Sequence, residues 1–373
     1  MNVIFTCGGT AGHVNPALAL AGLLKQRDKN ARILFVGANR GLERGLVTRA
    51  GYDFRAVNIS SFHRSLRPRE LRHNAVSVFN LLRAPMEARA VLRDFTPDVI
   101  VGTGGYASYP MLRGGAKAGI PTLVHESNAV PGLTTRLVEP YCDRIMVGFE
   151  DCRAYYKKPE KVVVTGTPVR GGFFKMTREE AKRALGVDDG RPLIVSFWGS
   201  LGASAMNRQM AEFIALEAKH QPFHHVHAAG SICHARMGEW LRERGVEQSA
   251  LTRIDVREYI HDMETLMRAA DLVICRAGAS TIAELTALGV PALIVPSPNV
   301  TNNHQEKNAR VLESHGAACV MTEDACDGKR LFEAACAILH DDARRDSMSR
   351  AMASLGTRDA AERILDTVFS LLR

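Results

Sequence analysis

One alternation constrains this chain more than any other feature: short β-branched runs and longer helical stretches take turns, stop, and then take turns again. The first series comprises NVIFTC at 2–7, ARILFVG at 31–37, FRAVNI at 54–59, DVIVG at 98–102, TLVHE at 122–126 and RIMVG at 144–148, with helices expected from Pro16 and near 75–94. After KVVVTGTPVRGGFF at 161–174 the second series runs through PLIVSFWG, HHVHAAG, LTRIDV, DLVICR, ALIVP and AACVMT, with helices near 177–185, 203–219 and 281–288. Strand runs alternating with helices that can cross back over them are the pattern of a doubly wound parallel sheet. Two series predict an α/β protein of two such sheets, a number that 373 residues suits. Pro168 and three glycines within TGTPVRGG at 165–172 mark the hinge. The expected domains are 1–165 and 166–356, with a closing helix at about 357–373 crossing back to the first.

No apolar run reaches the roughly 18 to 20 residues a bilayer demands, and the start MNVIFTCGGT has neither a basic leader nor a cleavage site. A cytoplasmic protein that does not span the membrane is expected. Eight cysteines without a CxxC pair are expected to be reduced structural thiols. A formal charge of +8 calls for an anionic partner: nucleic acid, anionic lipid or a phosphorylated substrate. With 6% aromatic residues and no aromatic-interleaved basic surface, nucleic acid is set aside.

Three glycine turns follow strands: GGTAGH at 8–13, GTGGYAS at 102–108, and Gly199 to Ala203 after PLIVSF. Asn15 reads as an N-cap and Pro16 as first-turn proline, so the first loop offers N–H groups and a positive helix end to an anion. Tight packing alone also selects glycine there. GGTAGH is not GxGxxG, Gly37 and Asn39 stand where a dinucleotide enzyme needs an acid, and no GxxxxGK[ST] occurs. An anion held by backbone and helix ends, without metal or cofactor, is what remains. In ICRAGASTIAEL at 274–285 a strand turns into a helix near Ser280 and Thr281 with Glu284 expected in its first turn. That carboxylate either accepts both hydroxyls of a ribose or caps the helix.

Together GGTAGHVNPALALA, GTGGYAS, HESNAVPGLTTRLV, GTPVR, GSLGASAMN, CRAGASTIAEL and VPSPNVTNNHQEKNA resemble the MurG family of peptidoglycan glycosyltransferases, over positions 8–310. The resemblance implies a GT-B fold of two Rossmann-like domains facing a cleft, and a metal-independent inverting transfer of N-acetylglucosamine from UDP-GlcNAc to the C4 hydroxyl of lipid I. The product would be lipid II, for cell-wall synthesis. It also implies a donor site built from Arg170, Ser200, the backbone of Ile260 against uracil, and the run Ala279, Ser280, Thr281, Ile282, Ala283 and Glu284. Gln305 would hold the sugar, and Thr10, Ala11, Gly12 and Asn128 would reach the reacting centre. Three positions depart from the family's commonest wording: Ala11 for Gly, Leu201 for Gln and His304 for Gln.

Inversion needs a base, a tolerated oxocarbenium-like centre and a stabilised leaving diphosphate. No DxD is present, so helix N-termini with Arg170 and Ser200 would supply the positive field. His13, ending the first glycine loop, is the expected base, with Glu126 of HESN as its competitor or as an orienting group for Asn128 or His125. Residues 62–95 hold seven arginines against three acids among apolar residues, which suits either a helix packed on the first sheet or docking on anionic lipid at the inner face of the membrane. A UDP-GlcNAc 2-epimerase, or a nucleotide-sugar-binding protein without chemistry, are the rival readings.

Overall fold

The computed structural model describes residues 1–39, 41–59, 83–199 and 201–372. The chain forms two compact units, Met1–Val169 with Thr357–Arg373, and Arg170–Gly356.

In the first unit the strands are β1 (Asn2–Thr6), β2 (Arg32–Ala38), β3 (Asp53–Val57), β4 (Val99–Gly102), β5 (Thr122–Glu126), β6 (Arg144–Val147) and β7 (Val162–Val164). They form a seven-stranded sheet ordered β3-β2-β1-β4-β5-β6-β7, with every pair parallel. The helices are α1 (Ala11–Arg27), α2 (Glu43–Arg49), α3 (residues 83–95), α4 (Ser108–Lys117) and α5 (Leu133–Val138). Strands β4 and β5 are buried throughout, and β1 from Val3 onward, as in a parallel sheet covered by helices on both faces.

The second unit holds α6 (Arg178–Leu185), β8 (Leu193–Phe197), α7 (Ser204–Glu217), β9 (His224–Ala228), α8 (His234–Arg242), β10 (Ile254–Arg257) and α9 (Met263–Ala269). It continues with β11 (Leu272–Cys275), α10 (Ala279–Leu288), β12 (Ala292–Ile294), α11 (His304–Ser314), β13 (Ala318–Val320), α12 (Gly328–Leu339) and α13 (Asp342–Ser354). Its six strands run β10-β9-β8-β11-β12-β13, again all parallel. Thr177 opens α6 with a reciprocal capping box to Glu180. Asp271 ties that helix to the sheet, accepting from Arg178, from Lys182 at 2.7 Å and from the backbone N–H of Leu193 at 2.8 Å.

The last helix, α14 (Ala360–Ser370), belongs to the first unit: Ile364, Leu365 and Val368 are buried in the same core as Phe5, Leu20 and Phe35. The chain's return is tight, since a Cβ on Gly166 would stand 2.4 Å from Cβ of Thr357.

In both units the chain leaves a central strand to one side and returns on its other side, between β1 and β4 and between β8 and β11. Ligands of open α/β sheets bind outside the carboxyl ends of strands at such switch points. All the glycine turns singled out in the sequence lie there.

Two helix starts differ from expectation. Helix α1 begins at Ala11 with extended Thr10 as its N-cap. Asn15 is therefore inside the helix, and Pro16 sits at the sixth position, where its missing N–H leaves the Gly12 carbonyl without a helical donor. The rule that places proline in a first turn reads the wrong turn here. Helix α10 begins at Ala279 after extended Gly278, so Glu284 lies in its second turn and caps nothing.

Candidate active site

In the first unit, the turn after β1 and the turn after β4 meet backbone to backbone. A Cβ on Gly105 would stand 1.9 Å from the carbonyl oxygen of Gly8, a distance no side chain tolerates. His13, in the first turn of α1, lies on this junction: its Nδ1 is 3.1 Å from the Thr103 carbonyl, and Thr103 Oγ1 donates to the His13 carbonyl at 2.6 Å. Gly104, at φ +98°, makes room for the ring, since a Cβ there would be 2.6 Å from Nδ1. A ring nitrogen facing a carbonyl must carry the proton, so the neutral imidazole has its lone pair on Nε2. Thr10 is exposed, and the N–H groups of Ala11 and Gly12 belong to the unbonded donors that begin any helix.

Beneath this loop lies a side chain that sequence reasoning missed. Glu43 is fully buried, with Oε1 accepting from the N–H of Ala38 at 2.8 Å and Oε2 from that of Gly9 at 3.4 Å. Gly8, Gly37 and Gly41 surround it, and a Cβ on any of them would fall within 2.7 Å of Glu43 atoms. The run of glycines in the first 41 residues was the available signal. The carboxylate also helps to raise the Cys7 thiol, pushed up to about 12 mainly by burial.

Glu126, at the end of β5, is buried and accepts four hydrogen bonds. Oε1 takes the backbone N–H and the side-chain amide of Asn128 at 3.0 and 2.9 Å, and Oε2 takes Gly132 N–H at 2.9 Å and Thr135 Oγ1 at 2.7 Å. With both oxygens engaged, Glu126 organises the loop 127–132 and orients Asn128, and the geometry opposes its use as a base. His125 is occupied as well, bonded to the Gly166 carbonyl at 2.9 Å and to Ser127 Oγ at 3.3 Å. Burial depresses its pKa, against the Gly166 bond and the Glu126 charge, which raise it.

In the second unit, Glu284 projects from α10, partly buried. Desolvation raises its carboxyl to about 7, with Arg170 pulling down and Glu264 pushing up. Arg170 Nη1 lies 3.7 Å from Glu264 Oε1, with the guanidinium over the Phe173 ring at 5.5 Å. The raised carboxyl lies at the carboxyl end of the sheet, in the second turn of α10, too far along the helix to cap it. Ala279 and Gly278 begin the same helix, whose N-terminal donors point outward from the sheet.

Gln305, in the first turn of α11, accepts the Ser297 N–H through Oε1 at 2.9 Å, which fixes its amide. Asn308 donates to the Ala277 carbonyl at 3.2 Å, tying α11 to the turn before α10. Ile260 is buried while its neighbour Tyr259 is half exposed against His261, ring centroids 5.0 Å apart. Tyr259 is a second residue the sequence did not flag. A cavity of about 560 Å3 opens between the start of α7 and α11, lined by Ala205, Met206, Gln209, Pro296 and Asn303 among others. Ser200 lies outside the described residues. Thr10, Ala11, Gly12, His13 and Asn128 are thus held in the first unit, and Arg170, Ile260, Ala279 to Glu284 and Gln305 in the second.

Two doubly wound units, each with glycine turns and an imidazole or a carboxylate at its switch point, have the architecture of the GT-B glycosyltransferases. Residues 3–147 match the glycosyltransferase family 28 N-terminal domain and residues 193–364 the family 28 C-terminal domain. The UDP-N-acetylglucosamine–N-acetylmuramyl-(pentapeptide) pyrophosphoryl-undecaprenol N-acetylglucosamine transferase of Acetivibrio thermocellus is 40% identical over 373 residues, covering 100% of this chain and 99% of that one. The chain belongs to that family, the MurG glycosyltransferases. The crystal structure of Acinetobacter baumannii MurG superposes with a TM-score of 0.77 at 25% identity, covering 99% of each chain. A UDP-GlcNAc 2-epimerase from Neisseria meningitidis, at 15% identity and a TM-score of 0.67, covering 99% of this chain and 100% of its own, shares the fold alone.

Proposed function

We infer that this chain transfers N-acetylglucosamine from UDP-GlcNAc to the C4 hydroxyl of lipid I with inversion, giving lipid II. The observation that carries this reading is Glu284, a carboxylate with a raised pKa at the second switch point of a chain that belongs to the MurG family along its whole length. Ionised Glu284 accepts the two ribose hydroxyls, the backbone of Ile260 meets the uracil, and Gln305 holds the sugar. The start of α10, with Ser280 and Thr281, Arg170 and Ser200, stabilises the departing diphosphate; a cation and helix N–H groups do this without a metal.

His13 is the base: with Nδ1 committed to the Thr103 carbonyl, Nε2 takes the proton of the acceptor hydroxyl. Thr10, Ala11, Gly12 and Asn128 line the reacting centre, Asn128 being oriented by Glu126. The chain works as a peripheral protein at the cytoplasmic face of the bacterial membrane, where its lipid acceptor lies. Among the described residues no helix is long and apolar enough to cross a membrane. The basic segment offered for docking falls outside the described residues up to 82; beyond it, helical residues 83–95 include Met86, 61% exposed.

The test is UDP release from UDP-GlcNAc in excess EDTA, with and without a short-chain lipid I analogue. Turnover that requires the acceptor and survives EDTA is expected. UDP release without acceptor, or none at all, would overturn the transferase reading in favour of an epimerase or a silent binder.

A further inference from the structure

The core of the second unit contains an unbroken chain of five polar side chains, all fully buried: Glu217, His225, Ser196, His227 and Asn207. His225 Nδ1 meets Glu217 Oε2 at 2.7 Å, and His225 Nε2 meets Ser196 Oγ at 2.7 Å. Ser196 Oγ is also 2.7 Å from His227 Nδ1, His227 Nε2 is 2.9 Å from Asn207 Oδ1, and Asn207 Nδ2 donates to the Ala229 carbonyl at 2.7 Å. Burying such a network costs desolvation, which its internal hydrogen bonds must offset.

The chemistry of the donors fixes the direction of every bond but the one between His225 and Glu217. Asn207 gives its N–H to a carbonyl, so its oxygen must accept from His227 Nε2–H. Burial keeps His227 neutral, its pKa pushed down to about 3, so its Nδ1 accepts from the Ser196 hydroxyl. Ser196 in turn accepts from His225 Nε2–H. The chain ends at the contact between His225 and Glu217, and Glu217 Oε1 has no partner among the described residues.

Both ends of the chain lie on α7, Asn207 in its first turn and Glu217 at its last residue, while the middle lies on β8 and β9. The network therefore clamps α7 to the sheet at both ends. Its terminal acceptor is a junction. A Cβ on Gly202 would stand 2.1 Å from the Ala229 carbonyl and one on Gly230 would stand 2.2 Å from Gly202 N, so the turn after β8 rests directly on residues 229–230. On the other side, Ala229 N–H donates to Arg257 at 2.9 Å and Gly230 N–H to Glu258 at 3.0 Å, the strand end that leads to Tyr259 and Ile260. Asn207 thus holds the backbone on which the glycine turn and the segment before Ile260 both rest.

We propose that Ser196, His225, His227 and Asn207 are positioning residues that set the turn Gly199–Gly202, the start of α7 and the segment 257–260 in register for a uridine diphosphate ligand, without touching it. The proposal deepens the donor-site reading above and rests on it. In Asn207→Ala and Ser196→Ala, the Kd for UDP by calorimetry and the KM for UDP-GlcNAc rise about tenfold while kcat at saturating donor stays within about twofold. Ser196→Thr, which keeps the hydroxyl, restores the Kd. Met348→Ala, a cavity in the same core away from the network, lowers Tm without changing the Kd.

Amide hydrogen exchange at Gly202 and Gly230 is measured on the same proteins, and faster exchange in Asn207→Ala and Ser196→Ala than in Met348→Ala is expected. Unchanged UDP affinity in both network variants despite a lowered Tm overturns the proposal, as does exchange no faster than in Met348→Ala. Failure of the wild type to bind UDP sinks the donor-site reading instead, and the exchange rates then decide whether the network positions these turns.

Discussion

Glu43 and Gly37 are matched to each other: a Cβ on Gly37 would stand 2.7 Å from Cγ of Glu43, so only a bare backbone admits this carboxylate beneath the first glycine turn. The carboxylate in turn accepts the Ala38 and Gly9 N–H groups, linking the end of β2 to the loop that precedes His13. Gly37→Ala should therefore displace Glu43 and act like an overpacked core, costing about 1–3 kcal/mol. Glu43→Gln, which presents an amide N–H to donors, should cost about 1–3 kcal/mol. Urea unfolding checks both, and a loss under 0.5 kcal/mol in each, roughly the scale of ordinary surface substitutions, would show the match to be incidental.

If Glu284 binds the donor's ribose as proposed, donor affinity and stability should pull in opposite directions as pH changes. Its folded pKa, raised to about 7 by burial, exceeds that of an unfolded glutamate, so the folded state holds the extra proton between the two values. The stability this confers is complete below the unfolded pKa of about 4.3 and is lost as pH rises through the folded value, about 4 kcal/mol at most. Glu284→Gln keeps a neutral side chain, so at pH 8 it should melt higher than the wild type, with the gap closing by pH 5. The ribose needs the ionised form, so wild-type Kd for UDP-GlcNAc should rise toward tenfold per unit as pH falls below about 7. The variant should bind weakly at every pH. A wild-type Kd flat from pH 5.5 to 8 would remove Glu284 from the ribose.

Both sheets were legible because parallel strands buried on two faces read as apolar runs, and VIFT and LVIC are as plain as such strands become. Helix starts were less legible where they depend on backbone alone: α1 and α10 open on Thr10 and Gly278, neither with a side-chain cap bond. Pro16 and Ser280 drew attention to later positions for that reason. Glu284 could be singled out from its place after a strand and a turn. Glu43 and the pair Glu217–His225 could not, since their partners come from other elements and only packing brings them together.

Assigning the base turns on what His13 and Glu126 already touch. Glu126 accepts four hydrogen bonds, and replacing it with Gln turns one acceptor into a donor aimed at other donors. Glu126→Gln should lower stability by about 2–4 kcal/mol and reduce turnover through Asn128, while keeping the acid limb of kcat against pH. His13→Gln should lower kcat by about 10²–10⁴ and abolish that limb. A limb that survives in His13→Gln and vanishes in Glu126→Gln would reverse the assignment.

Binding at the membrane should respond to salt as a charge-driven contact does. If the arginines of 62–95 meet anionic headgroups, each contributes roughly 1 kcal/mol near the surface, and screening removes most of that beyond about 10 Å at 0.1 M salt. Cosedimentation with anionic vesicles should be strong at 20 mM salt, on the order of tenfold weaker at 300 mM, and absent with neutral vesicles. No cosedimentation at low salt would remove the docking role from this segment.

The closing helix offers the most direct test of how the chain is wired. Ile364, Leu365 and Val368 are buried in the core of the first unit, and Arg27 Nη1 meets Asp366 at 2.7 Å across α1 and α14. That ion pair is exposed and adds little, so the three apolar side chains carry the attachment. Ile364→Ala or Leu365→Ala should each cost about 2–5 kcal/mol by leaving a cavity. The loss should fall on the first unit alone: hydrogen exchange in β1 and α1 quickens, while β8 and β11 keep their protection. Equal loss of protection in both sheets would mean that α14 secures the second unit as much as the first.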